Sequence, residues 1–467
     1  MKNLYYPTYH FRPERNWMND PNGLIYFKGK YHLFYQYNPN GDRWGSIHWG
    51  HAVSSDLIHW EELPIALYPS VGDGEIHCYS GCAVVKDGFP YLFYTSVGEG
   101  KRGPETGAQQ WSAVSYDGMM SWKKEGKPAI QEAVHGNYKI KMWRDPFLWK
   151  EDYWYAVLGG TENNKGCLLL YRSYNLDAWE CLGKIYESDR YWLVECPNMI
   201  PVGEGRYLIL YSPLDAVRYM IARLNKDEWT LDIEKEGVFD HSILKRGFYA
   251  PNTYLNDPKG RIVSMGWISE ADGLELSQTK GWAGMQSLPR EIHMDKEGKL
   301  SIWPVEECCM LRKKSLFTSC RKGRENTAGS MFKNGRCLLA ESWEAEIYLR
   351  VRNGLCGNIQ ISFLADGFGK EETNIILDSE AGQIRLDRSL SSQHSSPDKS
   401  DICCDWMPEK ETELRMFIDH SSVEVFVDRV TTITARVYPK LEESCKIFIS
   451  GNGEACVEEM NIWELGL

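Results

Sequence analysis

The sequence predicts an all-β protein: a five-bladed β-propeller followed by a C-terminal antiparallel β-sandwich. Three observations lead there. Aromatic residues make up 13% of the chain, with 18 Trp and 26 Tyr, a composition suited to strand-rich cores. Short aliphatic and aromatic runs recur at roughly 55 to 60 residues, the mark of a structural repeat. Beyond about residue 335 that period is lost, and alternating strands of a different texture follow.

Each repeat begins with a strand-like run: "YHLFYQY" (31–37), "PYLFYTS" (90–96), "YWYAVLGG" (153–160), "RYLILYS" (206–212) and "RIVSMGW" (261–267). Most follow a turn rich in Gly, Asp or Lys, such as "FKGK", "KDGF" and "VGEGR". A second element closes most units on a tryptophan: "SSDLIHW" (54–60), "SYDGMMSW" (115–122), "SYNLDAW" (173–179) and "NKDEW" (225–229). Short strands separated by frequent turns, three or four to a unit, make five blades. The competing arrangement is a set of unrelated hairpins in one large sandwich. A propeller matters for function because residues distant in sequence converge on its axis.

Residues 304–312 read as a short helix after Pro304. Strands return as "EAEIYLRVR" (344–352), "GNIQISFLA" (357–365), "ELRMFIDHSSVEVFVDR" (413–429) and "CKIFISG" (445–451), the pattern of a sandwich. The predicted division is residues 1–305 for the propeller, 306–334 for a linker with a short helix, and 335–467 for the sandwich.

Charge excludes some partners. With a net charge of −12, the chain lacks the clustered Lys and Arg that nucleic acid or an anionic membrane demands. The first residues hold no apolar run of about seven or more, and no uncharged apolar stretch nears the roughly 18 residues of a spanning helix. Neither a secretory signal nor a membrane anchor is expected. The 14 Cys show no two-residue metal spacing and read as reduced thiols of a cytoplasmic protein.

Three acids stand apart: Asp20 in "WMNDPNG", Asp145 in "MWRDPFLW" and Glu195 in "WLVECPNM". Each alone is an ordinary turn acid before proline. Together they occupy similar frames beside Trp or Met, each ahead of a run taken as an innermost strand. Two carboxylates flanking a sugar ring are what glycoside hydrolysis requires. One attacks the anomeric carbon or activates water, and the other protonates the leaving oxygen. A third offsets the positive charge that develops on the ring. Arg144 is expected to hold Asp145 ionised, and Cys196 to pack against the acid at Glu195.

These motifs resemble glycoside hydrolase family 32, the β-fructofuranosidases, which include invertases, inulinases and levanases. "WMNDPNG", "WRDP" and "ECP" are similar to its three signatures in order and spacing. "WGSIHWGHAVSSDLIHW", "YSGCAVV", "FYAPNTYLNDPKGRIVSMGW", "SLPREI" and "FIDHSSVEVFVD" extend the likeness over nearly the whole chain. The resemblance implies Asp20 as nucleophile, Glu195 as general acid/base and Asp145 as transition-state stabiliser. It also implies a fructose pocket lined by Asn19, Gln36, Trp44, Ser80, Arg144, Tyr249 and Trp267. Small fructosides are the implied substrates, with no metal or other cofactor, so His48 and His51 read as structural. Two departures, Cys82 where the family often has Ser and Asn252 where it often has Gln, bear on the pocket rim. A fructosyltransferase would share every one of these residues. A sugar-binding propeller without activity is the rival from another class, although all three carboxylates are present.

Overall fold

The computed structural model describes residues 4–104, 107–242, 246–270, 276, 281–320, 335–352, 357–451 and 456–467. Five antiparallel sheets form the blades. Their first strands are Asn16–Phe27, Glu75–Lys86, Lys141–Lys150, Glu195–Pro201 and Phe248–Thr253. Each packs against the first strands of both neighbouring blades, so the five close a ring about one axis. The ring is sealed where Asn16 and Trp17 pair in parallel with Trp282 and Ala283.

The aromatic runs that mark the repeat are the second strands, for example Lys30–Asn38 and Phe89–Gly98. The acids therefore do not precede the innermost strands but lie within them. Turns between third and fourth strands repeat one device. Asp56, Asp117 and Asn175 each accept backbone N–H bonds from residues two to four positions on, the local chemistry of Asx turns.

One feature recurs in all five innermost strands and prepares the site. Pairing with the second strand slips between Met18 and Pro21, Cys78 and Gly81, Glu195 and Asn198, and Tyr249 and Asn252. In the third blade it slips opposite Val157–Gly159, around Asp145. A β-bulge re-aims a side chain and leaves backbone groups without ladder partners. Proline, which has no N–H to lose, is tolerated at such a place, and Pro21, Pro146, Pro197 and Pro251 sit in four of the five bulges. The fifth has Gly81, where an added Cβ would overlap the Phe93 carbonyl.

A 3₁₀ helix, Glu306–Leu311, follows the last blade. Strand Arg312–Cys320 then pairs with Cys456–Leu465 at the edge of a six-stranded sandwich sheet. The stretch expected to be linker thus begins with the expected short helix but continues as a sandwich strand; residues 321–334 lie outside the described residues. That strand's lysines and alternate residues face solvent, so its apolar alternation is weak in sequence. A second six-stranded sheet, from Cys337–Glu341 to Ile402–Asp405, completes the sandwich over a core of Ile, Leu and Val. Among the described residues no helix is long and apolar enough to cross a membrane.

The two domains meet through buried charges. Glu424 of the sandwich accepts bonds from His10 (3.0 Å), the Leu288 N–H (2.7 Å) and Arg290 (2.6 Å). Asp419 accepts from His10 at 2.8 Å, and Asp240 from Arg290 at 2.7 Å. Burial favours the neutral imidazole of His10, but its bonds to both carboxylates outweigh this and raise its pKa to about 9.

Candidate active site

The bulges turn Asp20, Asp145 and Glu195 toward the axis, where all three line one pocket of about 230 Å³. Asn19, Gln36, Trp44, Arg144, Tyr249 and Trp267, all expected from sequence, line it too. Ser80 stands behind Asp20 instead and donates to its Oδ2 at 2.6 Å. Tyr79 and Cys196 complete the wall. The volume falls below the roughly 300–1,000 Å³ of pockets for drug-sized ligands and suits a single sugar ring.

Asp20 is held in place by neutral donors. Ser80 Oγ, Gln36 Nε2 (3.2 Å) and Asn19 Nδ2 (3.2 Å) all bond its carboxylate. Hydrogen bonds of this kind favour the ionised form. Trp17 fixes Asn19 by donating from Nε1 to Oδ1 at 2.8 Å, and Gln286 donates to the Asn19 carbonyl at 2.8 Å. Met18, fully buried, anchors the turn in the core. The Trp and Met of the opening motif therefore set the base on which the carboxylate stands.

Glu195 receives two donors on separate oxygens: Arg144 Nη1 on Oε1 at 3.3 Å and Tyr249 OH on Oε2 at 2.8 Å. The Leu214 N–H donates to the Tyr249 oxygen at 2.9 Å, which leaves the phenolic proton for Glu195. In its blade, Glu195 precedes Pro197 by two residues, whereas Asp20 and Asp145 directly precede their prolines. The place equivalent to theirs is taken by Cys196. Its Sγ lies 3.6 Å from Asp20 Oδ2 and 3.5 Å from Asp145 Oδ2, so the thiol joins those two acids. Burial and the surrounding carboxylates push the Cys196 thiol pKa well above its ordinary value, keeping it protonated.

Asp145 is the most buried of the three acids. Burial raises its pKa to about 7; Arg144 pulls it down, while Glu195 and Asp20 push it up. Arg144 favours the ionised form of Asp145, as its adjacency suggested, but burial outweighs it, and the guanidinium itself bonds Glu195. Trp267 Nε1 is a buried donor with no protein partner among the described residues. Trp44, 48% exposed, stands at the mouth beside His77 and Tyr79. His51 Nε2 meets His32 Nδ1 at 3.0 Å inside the first blade, and among the described residues no cluster of three or more His, Cys, Asp or Glu has the form of a metal site.

A larger cavity, about 480 Å³, lies where Trp406, Met407 and Asp428 of the sandwich face Lys299 of the propeller. Between these two cavities, carboxylates from separate blades converge in the smaller one.

Three carboxylates around one sugar-sized pocket on a propeller axis define a glycoside hydrolase. Family comparison agrees: the model for the glycosyl hydrolases family 32 N-terminal domain matches residues 10–304, and that for the family 32 C terminal matches residues 310–464. The chain belongs to glycosyl hydrolase family 32. Sucrose-6-phosphate hydrolase of Zymomonas mobilis is 31% identical over 99% of this chain and 92% of its own length. Raffinose invertase of Escherichia coli is 31% identical over 99% and 96%. Among solved structures, fructan 1-exohydrolase IIa of Cichorium intybus in complex with 1-kestose superposes with a TM-score of 0.85 at 26% identity, covering 100% of this chain and 98% of that one.

Proposed function

We propose that this enzyme hydrolyses terminal β-D-fructofuranosyl residues from sucrose or short fructo-oligosaccharides through a fructosyl-enzyme intermediate. The observation that carries the proposal is the meeting of Asp20, Asp145 and Glu195, from blades one, three and four, in a pocket with room for one ring. Asp20, ionised among neutral donors, attacks the anomeric carbon. Glu195 protonates the leaving oxygen and then deprotonates the incoming water, so configuration is retained.

Asp145 grips ring hydroxyls. Its ionised form gains stability as positive charge develops on the ring, an interaction stronger in the transition state than in the ground state. Asn19, Gln36, Arg144, Tyr249 and Trp267 orient the fructosyl unit, while Trp44 at the mouth meets the leaving group. Ser80 acts through Asp20. The enzyme works without a metal or cofactor. Its described cysteines are free thiols, which supports a reducing cytoplasm as its compartment, with substrate delivered by import.

The test is product analysis with sucrose, sucrose phosphorylated on glucose, and β-2,1- and β-2,6-linked fructose disaccharides. Free fructose from wild type, with no turnover by Asp20→Ala and Glu195→Ala, supports hydrolysis and ranks the linkages. Longer oligosaccharides in place of free fructose would make the enzyme a transferase. No turnover by wild type on any of them would contradict the proposal.

A further inference from the structure

The bulge that aims Asp145 at the pocket creates a problem for the backbone. Asp145 sits at φ 62°, a left-handed conformation that costs a non-glycine residue of this kind and persists only when its surroundings enforce it. It also falls where pairing with the next strand slips, so its N–H has no ladder partner. The neighbouring blade supplies both enforcement and acceptor. Thr95 Oγ1 accepts the Asp145 N–H at 2.9 Å. Thr95 hydroxyl in turn donates to Gln110 Oε1 at 2.7 Å, and Gln110 Nε2 donates to the Trp143 carbonyl at 3.3 Å.

Every proton in this chain is assigned by its partners. The Trp143 carbonyl can only accept, which fixes the Gln110 amide; the amide oxygen then takes the Thr95 proton, and a Thr95 lone pair is left for Asp145. Thr95 and Gln110 are directly paired across two strands of the second blade, and both are fully buried. Together they hold Trp143 and Asp145 from the two sides of Arg144, whose guanidinium reaches Glu195.

We propose that Thr95 and Gln110 are positioning residues for catalysis: a clamp from the second blade that sets Asp145 and Arg144 of the third in their working geometry. Neither touches the pocket, since neither lines it. The inference rests on the proposed role of Asp145 and extends it to the residues that make that role possible. Misplacement of a catalytic group by about 1 Å is enough to cost on the order of 100-fold in rate.

The test compares Thr95→Val, Thr95→Ser, Gln110→Met and Asp145→Asn in sucrose turnover, each assayed well below its melting midpoint and normalised to folded protein. Thr95→Val keeps the shape and removes the hydroxyl; its kcat should fall roughly 10- to 100-fold with KM little changed, as expected when transition-state contacts are lost. Gln110→Met should fall in the same range. Thr95→Ser loses a buried methyl but keeps the hydroxyl, and should stay within about twofold of wild type in kcat. That rescue separates positioning from packing. Wild-type kcat in Thr95→Val and Gln110→Met, or equal impairment in Thr95→Ser and Thr95→Val, would overturn the clamp while leaving Asp145's role intact. An active Asp145→Asn would instead remove the role on which the clamp depends. If Thr95→Val does not fold, Gln110→Met against Thr95→Ser decides the matter by the same criteria.

Discussion

Replacing Asp145 by Asn should stabilise the protein while abolishing its activity, and the gain should depend on pH in a defined way. Asp145 titrates near 3.8 in an unfolded chain and at about 7 in the folded one, chiefly because it is buried among other acids. The folded state therefore binds this proton more tightly. The favourable contribution is fully present below pH 3.8 and is lost as pH rises through about 7. The difference is about three units, and at 1.36 kcal/mol per unit the carboxylate withholds on the order of 4 kcal/mol at pH 8.

Asn has the same shape and carries no charge, so Asp145→Asn should recover much of that energy at pH 8 and almost none at pH 4. Melting midpoints of both proteins, followed by circular dichroism from pH 4 to 8.5, measure it. The gap between them should be near zero at acid pH, widen up to about pH 7 and level off above it. A gap that does not change with pH, or a variant less stable than wild type at pH 8, would refute the assignment of a strained charge to this position. Sucrose turnover of the variant should fall by several orders of magnitude at every pH.

The buried histidines give further expectations, with opposite signs. Burial depresses His32 to a pKa of about 4. The unfolded chain thus takes up this proton first as pH falls below 6.5, and up to about 3 kcal/mol of stability should be lost between pH 6.5 and 4; the acid slope of the melting midpoint should flatten in His32→Gln. His10, raised to about 9, contributes stability that is complete below pH 6.5 and lost as pH rises through 9. His10→Gln should cost about 3–5 kcal/mol at pH 6, as for a broken buried ion pair, and progressively less above pH 9, read by denaturant titration at both pH values. Gly81→Ala drives a Cβ into the Phe93 carbonyl. It should destabilise by about 3 kcal/mol, the upper end of the usual overpacking cost, and disturb Ser80, visible as a lowered midpoint together with reduced turnover.

The sequence carried the repeat, the five blades and the three carboxylates plainly, because each depends on local chemistry: an apolar run, a turn, an acid beside proline. It misplaced the innermost strands. Bulges break the alternation in Asn16–Phe27 and Lys141–Lys150, whereas the regular second strands read clearly. Strand Arg312–Cys320 escaped notice because an exposed sheet edge carries lysines in place of apolar residues. Tyr79 was legible in principle, as the neighbour of Ser80 at a blade's bulge. The Thr95–Gln110 pair was not, since a threonine and a glutamine in ordinary strands become meaningful only when two blades are brought face to face. Adjacency also misled in part: Arg144 is next to Asp145 in the chain and shares its pocket, yet its guanidinium bonds the carboxylate of Glu195.

The central claim is that Asp20 forms the covalent bond and Glu195 helps to break it. Its most direct test is the intact mass of Glu195→Gln after brief incubation with β-D-fructofuranosyl fluoride, whose leaving group needs no acid. The account predicts an adduct of one fructosyl residue that persists for lack of a base, maps to the peptide containing Asp20, and is absent when Asp20 is also replaced by Ala. Consumption of the fluoride without an adduct, or an adduct on Asp145, would contradict it.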